Sequence, residues 1–422
     1  MNIEKYVGEK RSWRQWKYLL LLIGMTILVT YGFSYANWSI KYGTWAIKIV
    51  CLLLLAFILI HWPKKSNRYN FRTEVLILTF LPLISSINTY VYYGQSFIDS
   101  FNALSFNFVW IIYFVLHKYK VQESTILRMF LWVSLFIAAV QIIQQFTYPN
   151  ILFGGYSEEL MIERGVSDYA ASRNGLWRFL MHENGYFTAP ILFAVFIWAR
   201  KKTNIKFAFI IAICLVSIYL SLTRQVIASC ILALFLSFFL GKKSGSAVVR
   251  AMILAIVLFA FFYSYYDVLF GSLTEQTGDD LSGNYVRFLA ADYFWNESVK
   301  HPLAFLFGYG AEGQTGAYNQ LINYLKSVMG FFTGDVGFIG KIFTNGVIYV
   351  IICYVLLWKL FFTYKNSVPT YIRMFVIFGA VMSIMIFPMT VHYQFFVWAL
   401  LLYVADLHIN EGKLQKRKIT NA

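Results

Sequence analysis

The sequence predicts an all-α, polytopic membrane protein, and three observations carry that prediction. Of the 422 residues, 59% are hydrophobic, 20% aromatic and only 13% charged, whereas a soluble domain carries about 25% charged residues. Mean hydropathy is +0.60, and apolar runs close to the roughly 20 residues that cross a bilayer recur along the chain. Basic residues gather between alternate runs, as they do on the cytoplasmic side of membrane proteins.

The runs fall at 18–35, 45–62, 74–93, 101–117, 126–147, 186–199, 205–222, 225–240, 248–266, 336–358, 371–388 and 391–407, which makes about 12 transmembrane helices. Those at 186–199 and 225–240 are short, and 101–117 is interrupted by Asn102 and Asn107. With a cytoplasmic N-terminus, 26 of the 36 Lys and Arg lie on inner segments and 14 of the 20 acids on outer ones. Both termini are therefore expected in the cytoplasm. The net charge of +16 then faces anionic inner-leaflet lipids, and no nucleic-acid partner is needed to explain it. The basic start followed by YLLLLIGMTILVTYGFSYA reads as a first span, since it exceeds a signal-peptide core. Cys51, Cys214, Cys230 and Cys353 fall inside runs and form no disulfide framework. One membrane domain over 1–422 is expected, with external loops at about 148–185 and 267–335. Loops this long are usually functional or disordered. The aromatics of the second, with Tyr285, Leu289, Phe294 and Trp295, suit an amphipathic helix at the interface.

Within that loop, FGYGAEG places Gly308, Gly310 and Gly313 at G-x-G-x-x-G spacing. A dinucleotide site needs a strand before the glycines, a helix after them and an acid about 20 residues on. Here the preceding segment reads as helix and the loop is external, so the expectation is a tight turn packed closely on the membrane domain or a ligand.

Ten basic residues lie off the cytoplasmic segments: Lys41, Lys48, Arg164, Arg173, Arg178, Arg224, Arg287, Lys300, Lys326 and Lys341. Arg224, in LSLTRQVIAS, is either a hairpin tip snorkelling to headgroups or an anion ligand at a cavity mouth. Arg173 and Arg178, in SRNGLWRFLMHENGYFTAP, are either solvated charges near Glu158, Glu159 and Glu163 or ligand contacts. Asn174-Gly175 there reads as a turn and Asn184-Gly185 as a helix start. Arg287 is an interfacial anchor or a phosphate contact. Arginine forks fit phosphate oxygens, so four of them on one membrane face fit a diphosphate. Asp335 opens the tenth run as a helix N-cap or as a general base or orienting carboxylate. His182, His301 and His392 are scattered and the chain has no HExxH spacing, so no metal site is expected. No nucleophile elbow, phosphate-binding loop or paired-cysteine signature is present.

Four stretches, SRNGLWRFLMHENGYFTAPI, LSLTRQVIASCILAL, NYVRFLAADYFWNESVKHPLAFLFGYGAEG and GDVGFIGKIFTNGVIYV, resemble the O-antigen polymerase and ligase superfamily, most of all Wzy-type polysaccharide polymerases. The resemblance spans roughly 130–360. It implies a GT-C-type glycosyltransferase in the bacterial cytoplasmic (inner) membrane, free of metal and cofactor, with its active site facing outside. Such an enzyme joins undecaprenyl-diphosphate-linked oligosaccharide units into O-antigen, capsule or exopolysaccharide. On this resemblance Arg287 and Arg224 hold the diphosphate, Arg173, Arg178 and Asn184 assist substrate binding, and Asp335 orients or deprotonates the acceptor. Tyr285, Trp295 and Tyr309 would stack on sugars or belong to the interfacial belt. Membrane lipids, a chain-length regulator and a flippase would be partners. A ligase shares the donor chemistry, and Asp335 where ligases carry a histidine favours the polymerase. A flippase is the alternative from another class, yet neither matching halves nor midplane charges are read from the sequence.

Overall fold

The computed structural model describes residues 13–34, 37–64, 69–148, 150–154, 172–173, 176–177, 179, 181, 184–202, 204–240 and 286–420. The 248–266 run and the expectations for Asn174-Gly175, Arg178, His182 and Tyr285 lie outside these residues.

The chain is a mostly helical membrane protein. Its helices are α1 (Trp13–Val29), α2 (Asn37–Ile60), α3 (Arg72–Tyr93), α4 (Phe97–Tyr119), α5 (Glu123–Thr147), α6 (Asn184–Ala199), α7 (Ile205–Leu220) and α8 (Arg224–Leu236). After the undescribed stretch come α9 (Val286–Lys300), α10 (Pro302–Phe307), α11 (Ala317–Ser327), α12 (Gly337–Trp358), α13 (Thr370–Met382) and α14 (His392–Thr420). Stretches of α2, α3, α4, α5 and α12 are long and apolar enough to cross a membrane. Parts of α1, α6, α7, α8 and α13 are shorter apolar helices of 10–17 residues.

Local chemistry sets the boundaries. Gly94 takes the left-handed conformation (φ 66°) that ends α3 and returns its N–H to Tyr90 O, a conformation glycine adopts without steric cost. Ser96 then caps α4, its hydroxyl accepting from the Asp99 N–H at 3.1 Å. The asparagines that interrupt the 101–117 run do not break this helix. It tightens to a 3₁₀ stretch over Ser105–Ile111, and Asn107 Nδ2 donates to Leu104 O at 2.9 Å.

Two helices form the centre. Every residue of α6 from Asn184 to Val195 is buried, as is α14 from Phe395 to Ala405. Helices apolar on all sides belong inside a bundle. α6 packs against α5, α7 and α13, and α14 against α4. The bundle has two distinguishable ends. Gln15 meets Gln122, and Asn70 meets Asp406 and Asn410, so the starts of α1, α3 and α5 share one end with the later half of α14. We call this the terminal end. Tyr31, after α1, meets His392 at the start of α14 and marks the far end.

Candidate functional site at the far end

Helices α9 to α11 and the segment after them form a second apolar cluster at the far end. Ala290, Phe294, Tyr309, Tyr318, Ile322 and Phe331 pack there against Phe343 of α12. Phe294 faces this cluster, while Leu289 and Trp295 of α9 are exposed. The interfacial face expected of all these residues is thus split between two sides of α9.

The G-x-G-x-x-G turn fixes this unit to the bundle. Gly346 (φ 81°) breaks the helical geometry of α12, and the carbonyls just before the break take outside donors. Tyr309 N–H donates to Phe343 O and Gly310 N–H to Thr344 O, both at 2.8 Å. From α3, Asn88 Nδ2 donates to Gly308 O at 2.8 Å, and the Thr89 hydroxyl donates to Tyr309 O. Gly308 (φ 79°) lies so close to α12 that a Cβ would collide with the Thr344 carbonyl, and one at Gly310 would meet Thr89 Oγ1 at 2.6 Å. The spacing therefore serves backbone packing, which is the tight-turn expectation and not a nucleotide site.

The expected site residues are distributed over this end. Tyr309 is buried, its hydroxyl donates to Glu297 O at 3.0 Å, and its ring packs near those of Tyr92, Tyr93 and Phe343. Asn184 is also buried. Its amide donates to Gln141 Oε1 (3.2 Å) and Ser217 O (2.6 Å), and its oxygen accepts from the Thr188 and Ser217 hydroxyls. It ties α5, α6 and α7 together, and beside it Gly185 lets α8 approach, with Val226 Cγ1 only 2.7 Å from where a Cβ would stand. Arg224 is half-buried in the first turn of α8. Arg173 pairs through its backbone with Leu176 in a two-stranded ribbon. That ribbon is held by Gln145, whose side chain bonds both the N–H and the carbonyl of Trp177, and by Tyr148 stacked on Trp177 at 3.5 Å.

Arg287 is half-buried in the first turn of α9, which packs on the Thr333–Asp335 turn, so the elements carrying Arg287 and Asp335 touch. Arg224 belongs to a helix packed chiefly on α13. Asp335 is not the N-cap. Val336 holds that position without a side-chain hydrogen bond, and Asp335 ends the preceding 3₁₀ turn.

Lys341 is expected among the external basic residues and no charge at the midplane of a span, yet among the described residues Glu74, Glu123, Lys341 and Asp406 are buried within helices. Lys341 lies inside α12 at the far end and Asp406 inside α14 at the terminal end. A charge set among apolar residues was the available signal.

A peptidase M50B-like family model matches residues 147–283, and a search of the curated proteins gave no match. The match overturns the assignment to the O-antigen polymerase and ligase superfamily. The polysaccharide polymerase, its ligase and flippase alternatives, and the lipid-linked oligosaccharide, chain-length regulator and flippase partners are withdrawn with it. There is a physical reason for the error. Gly308, Gly310, Asn184 and Gly185 belong to the stretches that carried the resemblance, and all four do packing work that any helical membrane bundle can require.

Zinc peptidases bind metal through H-E-x-x-H on a helix. In the matched stretch His182-Glu183 is followed by Asn184-Gly185-Tyr186, so tyrosine stands where the second histidine belongs. Tyr186 is buried, its ring 5.7 Å from those of Phe378 and Tyr393, and Asn184 is held in its amide and hydroxyl network. Among the described residues no three His, Cys, Asp or Glu side chains are grouped to hold a metal. The sequence of the matched stretch thus does not carry the H-E-x-x-H spacing of a zinc peptidase at His182.

Proposed function

We propose that this chain is a peptidase-like membrane protein that binds a segment of another membrane-anchored protein and does not cleave it by zinc chemistry. The observation that carries the reading is the His182-to-Tyr186 stretch, which falls inside the peptidase-like match and has its second ligand position filled by a packed tyrosine. Twelve spans in one membrane domain, with both termini in the cytoplasm and the far end outside, complete the proposal. In it the strand Ser172–Arg173, whose partner strand Leu176–Trp177 is held to α5 by Gln145, pairs with an extended segment. Arg173, Arg224, Arg287 and Asp335 are the polar groups proposed to meet that segment.

The test reconstitutes the full chain with a panel of single-span reporter proteins. Binding is followed by fluorescence transfer, new termini by mass spectrometry and zinc by elemental analysis. Saturable binding of a reporter, without cleavage or stoichiometric zinc, is expected. Stoichiometric zinc with cleavage that disappears in Glu183→Gln would reinstate a metallopeptidase, and no reporter binding would remove the protein-segment role altogether.

A further inference from the structure

The described residues hold an apolar cavity of about 600 Å³ on the side of the bundle, between α1, α2 and α5. Ile27, Tyr31, Gly43, Trp132, Phe136 and Phe153 are among its lining. Tyr42 and Trp132, which also border it, are 64% and 58% exposed, so it opens laterally. The Thr26 hydroxyl in its wall is spent on Leu22 O at 2.9 Å, which leaves apolar packing as the means of selection.

Two fixed segments shape the cavity. After α1, Tyr31, Gly32, Phe33 and Ser34 make a left-handed turn (φ 51°, 64°, 56° and 53°), a conformation that residues other than glycine adopt at a cost. Phe33 N–H donates to the Thr30 hydroxyl at 3.3 Å, and Gly154 N–H donates to Phe33 O and Ser34 O at 3.2 Å each. Gln144 of α5 fixes the segment before Gly154. Its Oε1 accepts from the N–H groups of Leu152 (3.0 Å) and Phe153 (2.6 Å), and its Nε2 donates to Phe153 O (3.0 Å). Phe136 packs on both segments, its ring 5.0 Å from Phe33 and 5.4 Å from Phe153. Strain of this kind persists only where the surroundings impose it, and it clusters at clamps and binding sites.

The cavity is also continuous with the ribbon. Trp132, Phe136, Ala139, Ile143 and Phe146 are all exposed on α5, at steps of four, three, four and three residues. That is the spacing of a single seam, the repeat by which two helices interlock. The seam starts at the cavity and runs about 21 Å along α5, to the turn where Gln145 and Tyr148 hold Trp177 of the ribbon. A protein whose extended segment pairs with Ser172–Arg173 and then enters the bilayer is thereby laid against α5. On the reading that this chain binds a segment of a membrane-anchored protein, we propose that the partner's transmembrane helix packs along the α5 seam and sets a bulky apolar side chain in the lateral cavity.

The test places p-benzoylphenylalanine at Trp132, or at the exposed Trp358 of α12 as a control, in the full chain reconstituted with a fluorescent single-span reporter protein. Illumination should join position 132 to the reporter's span, with at least tenfold less adduct from position 358. Ala46→Trp, which fills the cavity, should weaken reporter binding about tenfold at an unchanged unfolding temperature. Adducts with lipid alone at position 132 while the reporter still binds would overturn the cavity assignment and leave the protein-segment reading standing. Unchanged binding in Ala46→Trp would do the same. A wild-type chain that binds no reporter would overturn both.

Discussion

Asp406 and Lys341 are both charged, both buried and both set in long helices of the bundle, yet their surroundings differ. Asp406 accepts from the Asn70 N–H (3.2 Å), Asn70 Nδ2 (2.7 Å), the Tyr113 hydroxyl and His117 Nε2 (3.1 Å). Nearby, Glu123 takes the Tyr371 hydroxyl and His408, and Glu74 takes Lys359. These bonds join the starts of α3, α5 and α13 to α4, the end of α12 and the later half of α14. At the far end Lys341 has two aromatic faces and, among the described residues, no carboxylate partner. A satisfied network holds helices in register, whereas a buried charge held only between aromatic rings makes no such tie.

The sharpest way to break this comparison is Asp406→Ala. It strands several buried donors at once and should cost about 3–5 kcal/mol, seen as a large fall in unfolding temperature and in recovered folded protein. Lys341→Met should move stability the other way or not at all. Similar losses for both substitutions would mean that Lys341 is as structural as Asp406.

A smaller effect separates the G-x-G-x-x-G turn from any ligand role. Gly308→Val combines a disfavoured backbone conformation with a collision at Thr344 and should cost roughly 3 kcal/mol. The expected outcome is faster proteolysis between 286 and 336 while α14 stays protected. Unchanged protection would show that the turn does not anchor the far-end unit.

The smallest effect belongs to His408, just past the apolar run of α14. Burial disfavours its charged form, but the Glu123 hydrogen bond and charge, with Glu411, outweigh this and raise its pKa. A pKa raised in the folded state adds stability that is complete below the ordinary histidine value of about 6.5 and is lost as pH climbs through the folded value. The unfolding temperature should therefore decline modestly as pH rises above the ordinary histidine value of about 6.5, by the equivalent of about 1 kcal/mol or less. In His408→Gln this part of the decline should vanish, and an identical profile would remove the Glu123 pair as its source.

The sequence by itself determined the class of this protein. Sparse charge and recurring apolar runs leave a helical membrane bundle as the structure that satisfies every backbone polar group in lipid. It also determined that Gly308 and Gly310 make a close-packed turn, because a strand–turn–helix context for nucleotides was absent. It could not separate packing from chemistry at Asn184 or Tyr309, since a buried amide and a ligand-binding amide have the same local sequence. It placed Lys341 only among the external basic residues and did not single out Asp406, for a related reason. Whether a charge in an apolar helix meets a carboxylate, a set of hydroxyls or only aromatic faces depends on helices far away in the chain. Asp406 finds Asn70, Tyr113 and His117 from α4 and the start of α3, while Lys341 finds Phe395 and, behind it, Trp110. Those meetings are long-range, and only the tertiary packing of α4, α12 and α14 decides them.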